Sequence, residues 1–222
     1  MREGPEPIEG TVSAVEPIRK QRGRVAIFVD GAFVMELGAE LAIERGVKKG
    51  TNLPQQRAVD LWSEDQQRSA LARALHFLSY RGRTVDEVRT KLSAVGFGSG
   101  AADHAIGELV RLGYLDDVAF AERFARSRLT HKSHGPRRIH ADLRRLGVPV
   151  AIVDDQIKDV ATPGEIQEAA LRAGSKYWRR VSAEPDPKRQ RWRFVQYLVR
   201  RGFDFDVASA AFEAVAAEHQ SE

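Results

Sequence analysis

The sequence predicts a mainly all-α protein, a tandem array of three three-helix repeats preceded by a small N-terminal β-hairpin element. Internal repetition is the first reason. TVDEVRTKLSAVGF (84–97), GPRRIHADLRRLGV (135–148) and QRWRFVQYLVRRGF (190–203) superimpose without a gap. Each carries an apolar residue (Val88, Ile139, Phe194), a leucine four later (Leu92, Leu143, Leu198) and a glycine four after that (Gly96, Gly147, Gly202). Ten residues past the glycine stands another apolar anchor, Ile106, Ile157 or Phe212. Successive leucines lie 51 and 55 residues apart, too long for one helix pair and suited to three short helices. The second reason is that helix start and stop signals keep the same register, and the third is that the first fifty or so residues alternate like strands.

Residues 1–55 make the hairpin element. TVSAVEPI and RVAIFVDGAFVMEL are β-rich, and Asp30-Gly31 is the dipeptide suited to a tight type I′ turn. So few large apolar side chains lie here that the element should pack on the adjoining helical part of the chain rather than stand alone. Pro54 and a polar run make 56–67 a junction ahead of the first long helical pattern. Repeat 1 then takes 68–116, repeat 2 takes 117–162 and repeat 3 takes 163–222. Thr84-Val-Asp-Glu87 is a capping box, and a glycine after the leucine turn is where a helix ends on a left-handed residue. Gly135 stands in the place of Thr84, and Pro136 opens a helix in the first turn, where a missing N–H costs nothing. In repeat 3, Asp186-Pro187 lies four residues ahead of that place and predicts one extra turn.

Composition narrows the chemistry. With 222 residues, 42% hydrophobic and 30% charged, the chain is expected to fold. It has no run of about eighteen apolar residues and no apolar stretch of a secretory signal, so no membrane partner and a cytoplasmic location are expected. The absence of cysteine excludes disulfides, thiolate nucleophiles and cysteine-built zinc sites.

The motifs that resemble chemistry have structural readings. His131, His134 and His140 straddle a helix break with no acidic ligand close in sequence, so they read as polar or phosphate-contacting residues of a basic loop rather than metal ligands. Asp116 and Asp117 precede the apolar-periodic VAFAERFARSRL and read as helix N-capping carboxylates. GFGSGA (96–101) follows no strand and precedes no Lys-Ser or Lys-Thr, so it is a helix stop and a turn. No serine lies in a nucleophile motif. Tyr177, Trp178, Trp192 and Tyr197 interleave with basic residues and could stack on bases, but core packing is the commoner fate of tryptophan. No catalytic residue, cofactor or metal is therefore predicted, and the chain is not expected to be an enzyme.

Charge is the feature whose functional reading is preferred. The net charge of +4 is unevenly spread: eight Arg or Lys face two acids between Ala121 and Leu146, and ten face two between Arg172 and Arg201. At about 100° per residue, Ile139, Leu143 and Leu146 fall on one side of their helix and Arg137, Arg138, Arg144 and Arg145 on the other. A solvated helix face normally mixes signs, so this one points to a polyanionic or acidic partner. The candidate binding residues are Arg126, Arg128, Lys132, Arg137, Arg138, Arg144, Arg145, Arg189 and Arg193.

LGYLDDVAFAERFARSRL followed by GPRRIHADLRRLGV resembles the signature of the RecX family, bacterial regulators of the RecA recombinase, and ALHFLSYRGRTVDEVRTKL fits the family's first repeat. The similarity is specific from about Ala70 to Ala161 and looser to Ala216, with RRVSAEPDPKRQRW longer than its counterparts. The hairpin matches an extension that only some members carry. The resemblance implies an elongated, curved array of three three-helix repeats that lies in the groove of the RecA–DNA filament and inhibits its activities. It offers no catalytic residue to carry over. The expected partners are the filament and the single- or double-stranded DNA within it, and the chain is expected to be a monomer. Two alternatives stand beside this: a basic helical-repeat DNA-binding protein acting without recombinase, and a histidine-metal hydrolase.

Overall fold

The computed structural model describes residues 9–19 and 21–220. Strands β1 (Gly10–Pro17), β2 (Arg24–Val29), β3 (Ala32–Gly38) and β4 (Asn52–Leu53) form an antiparallel sheet in the order β3-β2-β1-β4. The β2–β3 hairpin turns on Asp30 and Gly31, whose φ values of 49° and 88° are the pair a type I′ turn requires. The expected hairpin is thus the centre of a larger element, which also holds a short helix α1 (Ala39–Glu44). A brief apolar run such as AELAIE has too little length for its period to separate helix from strand.

Helix α2 (Gln55–Leu78) covers the sheet, and the stretch 56–67, expected as a junction, lies wholly within it. Ala58, Leu61 and Trp62 pack with Ile27, Leu37, Leu41 and Leu53, so the sheet completes its core with the helix next to it in the chain. A carboxylate fixes this docking. Asp65, 2% exposed, accepts the Gly38 N–H at 2.7 Å and a hydrogen bond from Arg24 Nη1 at 3.0 Å, with Arg24 Nη2 at 2.9 Å from its second oxygen. Helices α3 (Val85–Ala94) and α4 (Ser99–Arg111) come next, and Gly96 at φ 95° ends the first of them before Gly98 begins the second.

The chain divides into two compact units, 1–82 with 88–115 and 83–87 with 116–222. The second contains α5 (Asp117–Thr130), α6 (Pro136–Arg145), α7 (Val150–Val160), α8 (Pro163–Val181), α9 (Pro187–Arg200) and α10 (Phe205–Gln220). Its core holds the repeat anchors Ile139, Leu143, Phe194 and Leu198, each at most 1% exposed. Trp178, Phe194 and Phe212 meet there with ring centroids 5.4 to 6.1 Å apart. Asp116 caps α5 by accepting from Ala119 N at 2.9 Å, and Asp186 caps α9 by accepting from Lys188 N at 2.9 Å. Helix α9 has the extra turn, 14 residues against 10 in α6.

One kind of joint recurs in this unit. The Gly135 N–H donates to the Arg201 carbonyl at 2.8 Å and the Arg137 N–H to the Gly202 carbonyl at 3.1 Å, so the start of α6 rests on the glycine turn after α9. A Cβ at Gly135 would overlap the Gly202 carbonyl. At the equivalent place, Thr84 and Glu87 exchange the two hydrogen bonds of the capping box, and the Thr84 hydroxyl donates onward to the Leu146 carbonyl at 2.6 Å. The Val85 N–H donates to Asp117 at 3.0 Å; burial pushes that carboxyl above its ordinary value of 3.8 while the bond pulls it down.

Candidate partner-binding surface

The loop and helix at 131–145 carry most of the candidate residues. Ser133 adopts φ 48° and is buried, which turns the chain so that its carbonyl accepts from Arg201 Nε at 3.0 Å, and the Lys132 carbonyl accepts from the same guanidinium. Arg201 also donates to the Tyr197 hydroxyl at 3.2 Å. Its N–H donors are therefore used inside the fold. His134 is half-buried, and loss of solvation, together with the nearby charges of Arg138, Arg201 and Arg128, lowers its pKa from 6.5 to about 4. At neutral pH it is an uncharged ring. No group of three His, Cys, Asp or Glu among the described residues is placed to hold a metal ion.

Arg137, Arg138, Arg144 and Arg145 all project from α6 to solvent, opposite buried Ile139 and Leu143. Three of them have carboxylate partners: Arg137 meets Asp204 at 2.5 Å, while Arg138 and Arg145 lie 3.9 and 3.7 Å from Asp142. On α5, Arg126 pairs with Glu122 at 3.2 Å, and Arg128 lies over the Phe124 ring, 4.7 Å from its centroid. On α9, Arg189 and Arg193 share Glu184, at 3.6 and 2.9 Å. Arg144 and Lys132 have no ion-pair partner among the described residues. The candidate set is thus more neutralised than the local sequence suggests, because Asp204 comes from a later repeat and Glu184 from the turn before α9.

Exposed pairs of this kind are worth about 0–1 kcal/mol and weaken with salt, so a phosphate or a partner carboxylate can replace the internal acid at little cost. Among the cations outside this set are three on α8, Lys176, Arg179 and Arg180, which are exposed and occupy one helical face by their spacing. Their signal was present in the positive run, but they sit outside the superimposed stretches. A groove of about 400 Å³ lies between α6 and α7, with Pro136 and Ile157 below and Arg137, His140 and Lys158 at the rim. There His140 meets Asp154 at 3.1 Å rather than its neighbouring histidines. No helix among the described residues is long and apolar enough to cross a membrane.

Comparison with known proteins finds three three-helix domains along the chain. Residues 70–109, 116–155 and 165–212 match, in order, the first, second and third three-helix domains of RecX. The chain is 27% identical over 208 residues to a protein named regulatory protein RecX from Leuconostoc mesenteroides, covering 92% of this chain and 76% of that one. A crystal structure of regulatory protein RecX superimposes with a TM-score of 0.68 and 26% identity, over 95% of this chain and 100% of the other. The RecX structure from Lactobacillus salivarius, 23% identical, shares the fold with a TM-score of 0.64 over 69% of this chain and 99% of its own. The three domain matches together span more than half of the sequence, and the chain belongs to the RecX family.

Proposed function

We propose that this protein binds the filament that the RecA recombinase forms on DNA and inhibits its ATPase, strand-exchange and coprotease activities. The observation that carries this reading is the match to three RecX three-helix domains together with exposed cations on α5, α6, α8 and α9. Cations on four helices of one unit suit a phosphate backbone or the acidic side chains of a polymer's protomers. A ligand that prefers the inactive or disassembling state draws the filament away from activity by linkage, without any catalytic step. The protein acts in this reading as a cytoplasmic monomer without cofactor. Added to recombinase on single-stranded DNA, it should lower ATP hydrolysis and strand exchange in a concentration-dependent way. No effect at saturating amounts sinks the reading.

A second reading, DNA binding without recombinase, is favoured by Arg144 and by Lys176, Arg179 and Arg180 on α8, which have no ion-pair partner among the described residues. It requires tight binding to naked DNA at physiological salt with a steep salt slope. Weak binding there, beside efficient capture by recombinase filaments, decides for the first.

A further inference from the structure

Of the four aromatics interleaved with the basic run, three are used by the fold. Trp178 is buried against Phe194 and Phe212, and Tyr177 stacks on Tyr197 with centroids 3.9 Å apart and planes within 6°. Trp192 is different. It is 63% exposed on α9, and no other ring packs against it among the described residues. Phe205, at the start of α10, is 58% exposed. The two line one groove of about 300 Å³ with Lys188, Arg191, Val195 and Gln196. Val195 is buried and forms the floor, and the other α9 residues keep the spacing of a single helical face.

We propose that this groove takes an unstacked base of single-stranded DNA. Trp192 and Phe205 supply flat apolar faces, which every base can stack on regardless of sequence. The Gln196 carboxamide, which has no hydrogen-bond partner among the described residues, offers both a donor and an acceptor to a base edge. Lys188 has no ion-pair partner among the described residues and lies at the rim, where the phosphate of a seated nucleotide would fall. Arg191 is held by Glu213 at 3.2 Å, an exposed pair that a phosphate can open. Helix α9 contains no Asp or Glu between 187 and 200, so the face repels no phosphate from within its own helix. Two exposed acids flank Phe205 in sequence, Asp206 and Asp204, and Asp204 is paired with Arg137. An acidic peptide could meet the cations, but it would leave two aromatic faces and a carboxamide without the planar partner that they fit together. Duplex DNA keeps its bases stacked and offers the groove no free face.

This inference deepens the proposed function, since single-stranded DNA is the strand that the filament reading brings to the protein, and its test is run without recombinase. Fluorescence anisotropy with a labelled oligodeoxythymidylate should show Trp192→Ala weakening affinity roughly tenfold, and Trp192→Phe, which keeps a ring, changing it by no more than about twofold. Affinity for a duplex should stay near wild type in both. The unaltered protein gives an independent readout: an oligonucleotide bearing iodouracil should photo-cross-link to Trp192 or Phe205, as located by mass spectrometry. Unchanged oligodeoxythymidylate binding by Trp192→Ala, or cross-links only at other residues, overturns the inference. If Trp192→Ala keeps its DNA affinity but is no longer captured by recombinase filaments, the groove docks protein and the inference also fails. If the alanine variant loses DNA affinity while the wild-type protein leaves recombinase activity unchanged, the groove stands and the filament reading falls.

Discussion

Two carboxylates, Asp65 in the first unit and Glu184 in the second, each hold arginine, and they do different work. Asp65 is 2% exposed and satisfies both the half-buried Arg24 and the backbone N–H of Gly38, so it fastens α2 to the sheet. The Glu184 side chain, 11% exposed, reaches two arginines whose side chains are 69% and 45% exposed. Removing water from one end of an ion pair makes its loss expensive, whereas cations that remain in water can exchange one anion for another. The same residue types therefore form a fastening in one unit and a replaceable contact in the other.

The comparison breaks most visibly at its buried end. Asp65→Ala should cost about 3–5 kcal/mol, because it leaves a partly buried guanidinium and an orphaned N–H; chemical denaturation would register it as a lower midpoint. Leu143→Ala sets the apolar scale in the second unit, with an expected loss of about 2–5 kcal/mol from burial and cavity, read by thermal melting. A milder effect is expected at His134. Its unfolded form takes up a proton near pH 6.5 and its folded form only near 4, so protonation does not favour unfolding above 6.5, and stability falls as pH drops from there toward 4. Melting midpoints measured across that window should decline for the wild type and decline less for His134→Gln.

At the exposed end, replacing Arg137, Arg138, Arg144 and Arg145 with alanine should shift stability by about half a kcal/mol or less per site. The same fourfold variant should weaken filament or DNA binding and flatten its salt dependence, since fewer counterions are released. Titration at two salt concentrations beside a melting curve separates the two effects; unfolding of this variant would reverse the assignment of the α6 faces. The smallest change is expected from Glu184→Gln, about 0–1 kcal/mol in stability. Freed of their internal acid, Arg189 and Arg193 should then bind DNA more tightly than in the wild type, and an unchanged affinity would show that neither meets phosphate.

Features fixed by neighbours in sequence were the legible ones. Asp30-Gly31 forms its turn, Thr84 and Glu87 form their capping box, and Gly96, Gly147 and Gly202 end their helices at positive φ. The start of α2 was hidden for a physical reason: its buried positions are Ala58, Leu61, Asp65, Gln66, Ala70 and Ala74, too small or too polar to print an apolar period. Helix α1 was hidden by its brevity. At the candidate surface, the α6 cations were legible as an exposed face, but their neutralisation was not, since Arg137 and Asp204 are 67 residues apart in sequence. The division of the aromatics was equally out of reach, because Trp178 and Trp192 lie in equally basic surroundings and only packing separates them.

The joint between α6 and the turn after α9 also shows what a helix start must keep free. Gly135 and Arg137 can offer their N–H groups because they stand at a helix start. Their counterparts by register, Gln190 and Trp192, lie inside α9, and the Gln190 N–H already donates to the Asp186 carbonyl at 2.8 Å. The early start of α9 thus consumes the donors that another joint of this kind would need. One additional turn of helix occupies a place that α6 keeps open, and it sets an exposed tryptophan at the register position of Arg137.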